Sequence, residues 1–220
     1  MSGKRKVSNP LALAVLACLV ERPMHPYEMA STMRERHKDE SIKLNYGSLY
    51  TVTEALQRHK LIEPQETARE GNRPERTIYR ITDAGRLELV DWLSDLIGNP
   101  VHEYTQFEGG LSLLPVLAPS DAVKLLEERC RRLEAELVQA RAVKALLAER
   151  KLPRLFTIEA EHRWRMKEAE LDWVRELTAE IASGALEGVA EWRRWHKEGG
   201  EASVLKLPEP GQGAPRRRSF

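Results

Sequence analysis

Cysteine is almost missing from this sequence. Cys18 and Cys130 are the only two, they lie far apart, and neither belongs to a CxxC or a Cys/His cluster. A disulfide framework and a cysteine-held zinc centre are therefore not expected, and a reducing, intracellular setting fits best. A surplus of one sign of charge is missing too. Lysine and arginine number 35 against 34 aspartates and glutamates, and over residues 1–97 the balance is 15 against 14. No global basic field marks the chain for nucleic acid, so such a partner would have to be met by a local cluster. The apolar run at residues 11–20, behind the basic start MSGKRK, has only ten residues, too few to span a bilayer. Glu21-Arg22-Pro23 follows it, where a signal peptide would carry a small-residue cleavage site. The run is expected to be a buried first helix in a cytoplasmic protein that does not enter a membrane.

Catalytic signatures are equally scarce. There is no Gly-x-Ser-x-Gly, no GxGxxG after a strand, and the six histidines do not cluster. Glu159, Glu161 and His162 share a helix start, where acidic residues are already accounted for by the helix dipole. No catalytic residue, metal ligand or cofactor is assigned, and an enzyme is not expected. No internal repeat is present.

What the chain does have is helix. It is 41% hydrophobic and 31% charged over 220 residues, the balance of a folded, helix-rich protein with one substantial domain or two small ones. After a loose basic arm at residues 1–9, Pro10 opens a helix with Leu11, Val15, Leu16 and Leu19 on its apolar face. A second runs from Pro26 to about His37, with Tyr27, Met29, Ala30 and Met33 available for burial. A third occupies residues 46–59: Leu49, Val52 and Leu56 fall on one face, and Asn45 is placed to cap it. This helix carries a concentration of outward hydroxyls, Tyr46, Ser48, Tyr50, Thr51 and Thr53, just before an extended segment.

Two extended segments, residues 61–68 and 77–81, flank REGNRPER, whose Gly, Asn and Pro are turn residues; this is a hairpin with a basic tip of Arg69, Arg73 and Arg76. Thr82-Asp83-Ala84-Gly85 caps a fourth helix with Leu87, Val90 or Asp91, Leu93, Leu96 and Ile97 as its apolar positions, stopped by Gly98-Asn99-Pro100. A short helix interrupted by glycines is expected within residues 102–118. Two long helices follow: residues 120–150, with Leu126, Cys130, Leu133, Leu137 and Ala140 at heptad-like spacing, and residues 157–183, with Met166, Val174, Leu177 and Ile181 on one side. Such stripes are buried by helix on helix, within or between chains. Residues 199–220, rich in Gly, Pro and charge and carrying three arginines at 216–218, are expected to be disordered. The expected organisation is an arm (1–9), a domain of three helices, basic hairpin and helix (10–98), a helical domain (99–198) and a tail (199–220).

Helix, helix, helix, basic hairpin, helix is the order of a winged helix-turn-helix, so the fold class is mainly α: an N-terminal winged helix-turn-helix followed by an α-helical dimerisation domain. In such a module the third helix enters a major groove about 12 Å wide, and the hairpin reaches the adjacent backbone or minor groove. Hydroxyls on the front of that helix bond phosphates or base edges without a large charge, while Arg73 and Arg76 pair with phosphates. The same pattern also fits a winged helix that binds only protein. The polar face is then merely solvated.

The segments HPYEMASTM, NYGSLYTVTEALQRHKLIEPQ and RTIYRITDAGRLELVDWL resemble, in order, the N-terminal domain of the PadR family of bacterial transcriptional regulators. The matching positions are Tyr27, the Gly-Ser-Leu-Tyr of residues 47–50, and Tyr79-Arg80-Ile81-Thr82-Asp83-Ala84-Gly85. FEGGLSLLPVLAP and AELDWVRELTAEIASG resemble the helical C-terminal domain of the family's longer-tailed subgroup, so the likeness spans most of residues 10–186. It implies a homodimeric repressor that binds a palindromic operator and leaves it when a small-molecule effector binds. The candidate DNA-contacting residues are Tyr27, Asn45, Ser48, Tyr50, Thr51, Arg58, Arg69, Arg73, Arg76 and Arg80. The wing departs from the family's common Gly-Arg-Pro-Arg-Lys: Gly71-Asn72-Arg73-Pro74-Glu75-Arg76 places Glu75 among the basic groups. Beyond the wing, Trp92, Tyr104, Phe107, Trp164 and Trp173 either fill cores and interfaces or line an effector cavity with His162 or Arg163. The candidate effector set is Trp92, Phe107, His162, Trp164 and Trp173. Trp192 and Trp195 cover the end of the last helix.

Overall fold

The computed structural model describes residues 7–68 and 76–198, with the side chains of residues 66–68 and 76 excepted. The first six residues of the arm, the wing-tip Arg69 and Arg73, the Arg76 side chain and the tail with residues 216–218 lie outside the described residues. The structure is mainly α-helical with one two-stranded sheet, and it divides into two compact units, Met1–His102 and Glu103–Phe220.

In the first unit, α1 (Pro10–Glu21) starts where Asn9 Oδ1 accepts the Leu11 amide at 3.0 Å, with proline in the first turn. It is buried around most of its circumference, including Ala12, Leu13, Ala14 and Cys18, which makes it the central helix of this unit rather than an amphipathic one on its surface. α2 (Pro26–Glu35) opens with a reciprocal cap: His25 Nδ1 accepts the Tyr27 amide at 3.1 Å, and Glu28 accepts the His25 amide at 3.0 Å. It ends before His37, which turns left-handed into a 3-10 turn, Lys38–Glu40, two residues short of the expected end.

α3 (Tyr46–Arg58) buries Leu49, Val52 and Leu56 as the spacing predicts. It closes with Lys60 in the left-handed region, φ 60°, while the Leu61 amide reaches back to the Leu56 carbonyl and the Lys60 amide to that of Gln57. The chain then enters β1 (Ile62–Ala68), which pairs antiparallel with β2 (Arg76–Ile81) from Ile62↔Ile81 outward, with a register irregularity between Pro64 and Glu66. Met24 forms an isolated bridge to β2, exchanging two backbone bonds with Tyr79.

α4 (Asp83–Gly98) is capped by Thr82, whose Oγ1 accepts the Gly85 amide at 3.1 Å and lies 2.8 Å from the Lys60 carbonyl as donor. A Cβ at Gly85 would stand 2.0 Å from the Leu61 carbonyl oxygen, so only glycine lets α4 approach the start of the sheet this closely. The buried face of α4 is Gly85, Leu89 and Trp92. Leu87, Val90, Leu93, Leu96 and Ile97, taken from the sequence as its apolar positions, are exposed. The helix carries apolar residues on more than one side, and α1 covers only the side with Leu89 and Trp92.

The second unit begins with α5 (Gln106–Ser112), capped by Thr105; Gly109 and Gly110 lie within this helix instead of breaking it. A 3-10 turn, Leu114–Val116, leads to α6 (Pro119–Glu149), which packs along α7 (Ile158–Ser183). Ala122, Leu126, Cys130, Leu133 and Leu137 meet Leu171, Val174, Thr178 and Ile181. Arg129–Glu170, Glu134–Arg175 and Glu136–Lys167 ion pairs line the seam. Met166, expected on the buried side, is exposed. α8 (Val189–Lys197) was not anticipated: Trp192 is buried and donates from Nε1 to the carbonyls of Pro115 and Leu117 at 3.0 and 2.8 Å, while Arg193 donates to the last carbonyls of α7.

Candidate nucleic-acid interface

The candidate surface is built on the first two turns of α3. Asn45 Oδ1 accepts the Ser48 amide at 2.7 Å, so this side chain fixes the helix start as the sequence predicts. Leu49, Val52 and Leu56 anchor the helix from behind, which leaves Tyr46, Gly47, Tyr50, Thr51, Glu54, Gln57 and Arg58 exposed and Ser48 half-buried. Thr51 Oγ1 donates to the Gly47 carbonyl at 3.1 Å, but its oxygen can still accept. Thr53 belongs elsewhere. At 2% exposure it is buried, donating to the Leu49 carbonyl, so it is not one of the outward hydroxyls expected from the sequence. Its position next to Val52 puts it on the anchored side, and its hydroxyl is satisfied by its own helix.

Two arginines of the candidate set are described. Arg58 is exposed in the last turn of α3, at the opposite end from Asn45. Arg80 forms an exposed ion pair with its cross-strand partner Glu63 at 2.5 Å. Tyr27, on α2, is 60% exposed. Its ring stacks on that of Tyr46 with centroids 6.1 Å apart and planes 12° from parallel. Arg34, from the last turn of α2, lies with its guanidinium carbon 4.6 Å from the Tyr46 ring centroid and donates from Nη1 to the Tyr46 hydroxyl at 2.5 Å. Sequence reasoning left Arg34 out and did not place Tyr46 among the site residues. The signal was there: Tyr27 and Arg34 are seven residues apart on one helix, so they share a face, and Tyr46 begins the next helix packed against it.

The candidate effector residues are distributed as follows. Trp92 is 5% exposed within the core of the first unit. In the second unit Phe107 meets Trp173 edge-on at 6.3 Å, and Arg129 lies 3.5 Å over the Phe107 ring. Trp164 is half-buried and His162 exposed. A cavity of about 590 Å³ opens between the start of α6, the end of α7 and α8; Ser120, Lys124, Arg193, His196 and Lys197 are its polar lining, and none of the five candidates reaches it. Among the described residues no group of three or more His, Cys, Asp or Glu side chains could hold a metal ion, and no helix is long and apolar enough to cross a membrane.

Residues 15–91 match the family model described as the transcriptional regulator PadR-like family. No curated protein sequence matches the chain. Among solved structures, Bacillus subtilis PadR in complex with operator DNA is 20% identical over 79% of this chain and 99% of its own, with a TM-score of 0.62. The same protein in complex with p-coumaric acid is 18% identical over 78% of this chain and 98% of its own, with a TM-score of 0.63. The Vibrio cholerae virulence activator AphA is 18% identical over 79% of this chain and 98% of its own, at 0.59.

Proposed function

With residues 15–91 placing the chain among PadR-like transcriptional regulators, a family of regulators and not of enzymes, we propose that it is a homodimeric, sequence-specific DNA-binding repressor of a palindromic operator. One observation carries this: α3 is anchored behind by Leu49, Val52 and Leu56, and its N-terminal half offers Tyr46, Ser48, Tyr50 and Thr51 in front. That is the form a helix needs to enter a major groove. In this proposal Asn45, Ser48, Tyr50 and Thr51 meet phosphates and base edges, and Tyr27, Arg58 and Arg80 flank them. Arg69, Arg73 and Arg76 of the wing bind the neighbouring backbone. The near-neutral module then relies on few phosphate contacts, which predicts a moderate salt slope of about −0.9 per phosphate neutralised.

Dimerisation is supported by the helical unit. Between Leu137 and Leu171 no residue is buried, although Val138, Val143, Leu146, Leu152, Phe156, Ile158 and Met166 are apolar. A second copy packed there would bury this face and set two α3 helices one helical turn apart on a palindrome. Release by a small-molecule effector is supported by the p-coumaric acid complex of Bacillus subtilis PadR. Trp92, Phe107, His162, Trp164 and Trp173 remain the residues proposed to respond to it.

The test is fluorescence anisotropy of the protein against duplexes from upstream of its own coding sequence at two salt concentrations. Tight, salt-sensitive binding to one palindromic fragment is expected. A stable dimer that prefers no sequence would overturn the proposal in favour of a winged helix that binds protein.

A further inference from the structure

Tyr27, Arg34 and Tyr46 form a surface cluster whose geometry exceeds what packing two helices requires. All three side chains are exposed, so burial of apolar area does not explain why they gather. Tyr27 and Arg34 project from one face of α2, and both engage Tyr46, the first residue of α3. Arg34 Nη1 donates to the Tyr46 hydroxyl oxygen, a charge-assisted contact. A phenol oxygen that accepts from a cation is polarised, and its own O–H becomes a stronger donor. That proton has no acceptor assigned within the described residues, and Tyr46 sits at the N-terminal end of α3, where backbone amides and the helix dipole favour an anion.

We propose that the Tyr46 hydroxyl donates a hydrogen bond to a DNA phosphate oxygen, and that Arg34 is a positioning residue which orients and polarises this hydroxyl without touching DNA itself. The proposal rests on the DNA-binding assignment above. Stacking on Tyr27 fixes the plane of the Tyr46 ring. Arg34 therefore acts through Tyr46 and not as a free phosphate clamp.

The two roles differ in salt dependence and in coupling. A cation that binds phosphate directly releases counterions, and its loss lowers the salt slope by about one; a neutral hydroxyl does not. The experiment measures Tyr46→Phe, Arg34→Gln, Arg34→Lys and the double variant Arg34→Gln/Tyr46→Phe by anisotropy over a salt series. The probes are the preferred upstream duplex and a random duplex of equal length. Circular dichroism melts establish that each variant is folded, which exposed positions favour. Tyr46→Phe is expected to weaken binding to both duplexes about tenfold, as phosphate contacts carry no sequence information. Arg34→Gln is expected to weaken it by a similar factor with the slope unchanged, Arg34→Lys to restore it only in part, and the double variant to be no weaker than Tyr46→Phe. A slope that falls by about one in Arg34→Gln, or additive losses in the double variant, would overturn the positioning role. Parent protein that binds DNA with all variants unchanged would overturn the whole inference while leaving the regulator assignment standing. Parent protein that prefers no DNA would overturn both.

Discussion

At the scale of single residues, two backbone positions around the α3–β1 turn make opposite demands. Gly85 is there because a side chain is impossible: the Leu61 carbonyl oxygen occupies the space 2.0 Å from where a Cβ would lie. Gly85→Ala must push α4 off the sheet or strain its first turn, and it is expected to cost about 3 kcal/mol or more, read by urea unfolding. Lys60 is the reverse case. It holds φ 60° at the end of α3, in a helix-ending turn where glycine is the usual occupant. Relief of left-handed strain outweighs the added freedom of the unfolded chain, so Lys60→Gly should stabilise by about 0.5–1 kcal/mol in the same assay. In the sequence Gly85 stands within a matched motif, and Lys60 follows directly on the expected helix of residues 46–59. The reason for the first, a carbonyl brought in from a distant turn, belongs to tertiary structure and leaves no local trace. Thr53 failed for a related reason. Polarity placed it among the outward hydroxyls, but a threonine whose Oγ1 bonds its own helix at the Leu49 carbonyl is satisfied inside the core.

At the scale of elements, the first unit was legible because its boundaries carry chemistry: Asn9, Asn45 and Thr82 cap helices, and prolines open α1 and α2. The surface of α3 could likewise be read from the spacing of Leu49, Val52 and Leu56, whereas the Arg34–Tyr46 bond and the pairing of Arg80 with Glu63 depend on how separate elements meet. The second unit was harder. α8 is only nine residues long and begins after Gly188 with no side-chain cap, so no start signal marks it in the sequence. It is held instead by tertiary bonds, chiefly the Trp192 indole against the Pro115 and Leu117 carbonyls. Trp192→Phe keeps most of the apolar area and removes the donor. It is expected to cost about 1–2 kcal/mol, mostly as a lost hydrogen bond and a small void. Hydrogen exchange should localise the effect: faster exchange in α8, with the amides of the first unit unchanged. Equal loosening of both units would mean that Trp192 supports more than this docking.

At the scale of the whole molecule, the sequence pattern left one alternative open, helix burial within or between chains, and the distribution of buried residues divides it. The stripe from Ala122 to Leu137 is closed within the chain by α7. Between Leu137 and Leu171 no residue is buried by the described residues, and Leu146 and Ile158 are each about half exposed. Apolar residues repeated over several turns on an uncovered face mark an interaction surface, and a dimer interface of about 1,200–2,000 Å² is of the size such helices can bury. Leu146→Glu combined with Ile158→Glu tests this without touching either core. Both positions already face solvent in the single chain, so a folded monomer should tolerate the change, while burial of two carboxylates in an apolar interface should not be tolerated. Light scattering on a sizing column is expected to read a dimer mass for the parent and a monomer mass for the variant, with helicity by circular dichroism the same in both. Affinity for a palindromic duplex should then fall far more than affinity for a half-site, because one chain can no longer hold two α3 helices in register. A variant that keeps the dimer mass would move the interface elsewhere, and the exposed row of Leu87, Val90 and Ile97 on α4 is the next face to charge.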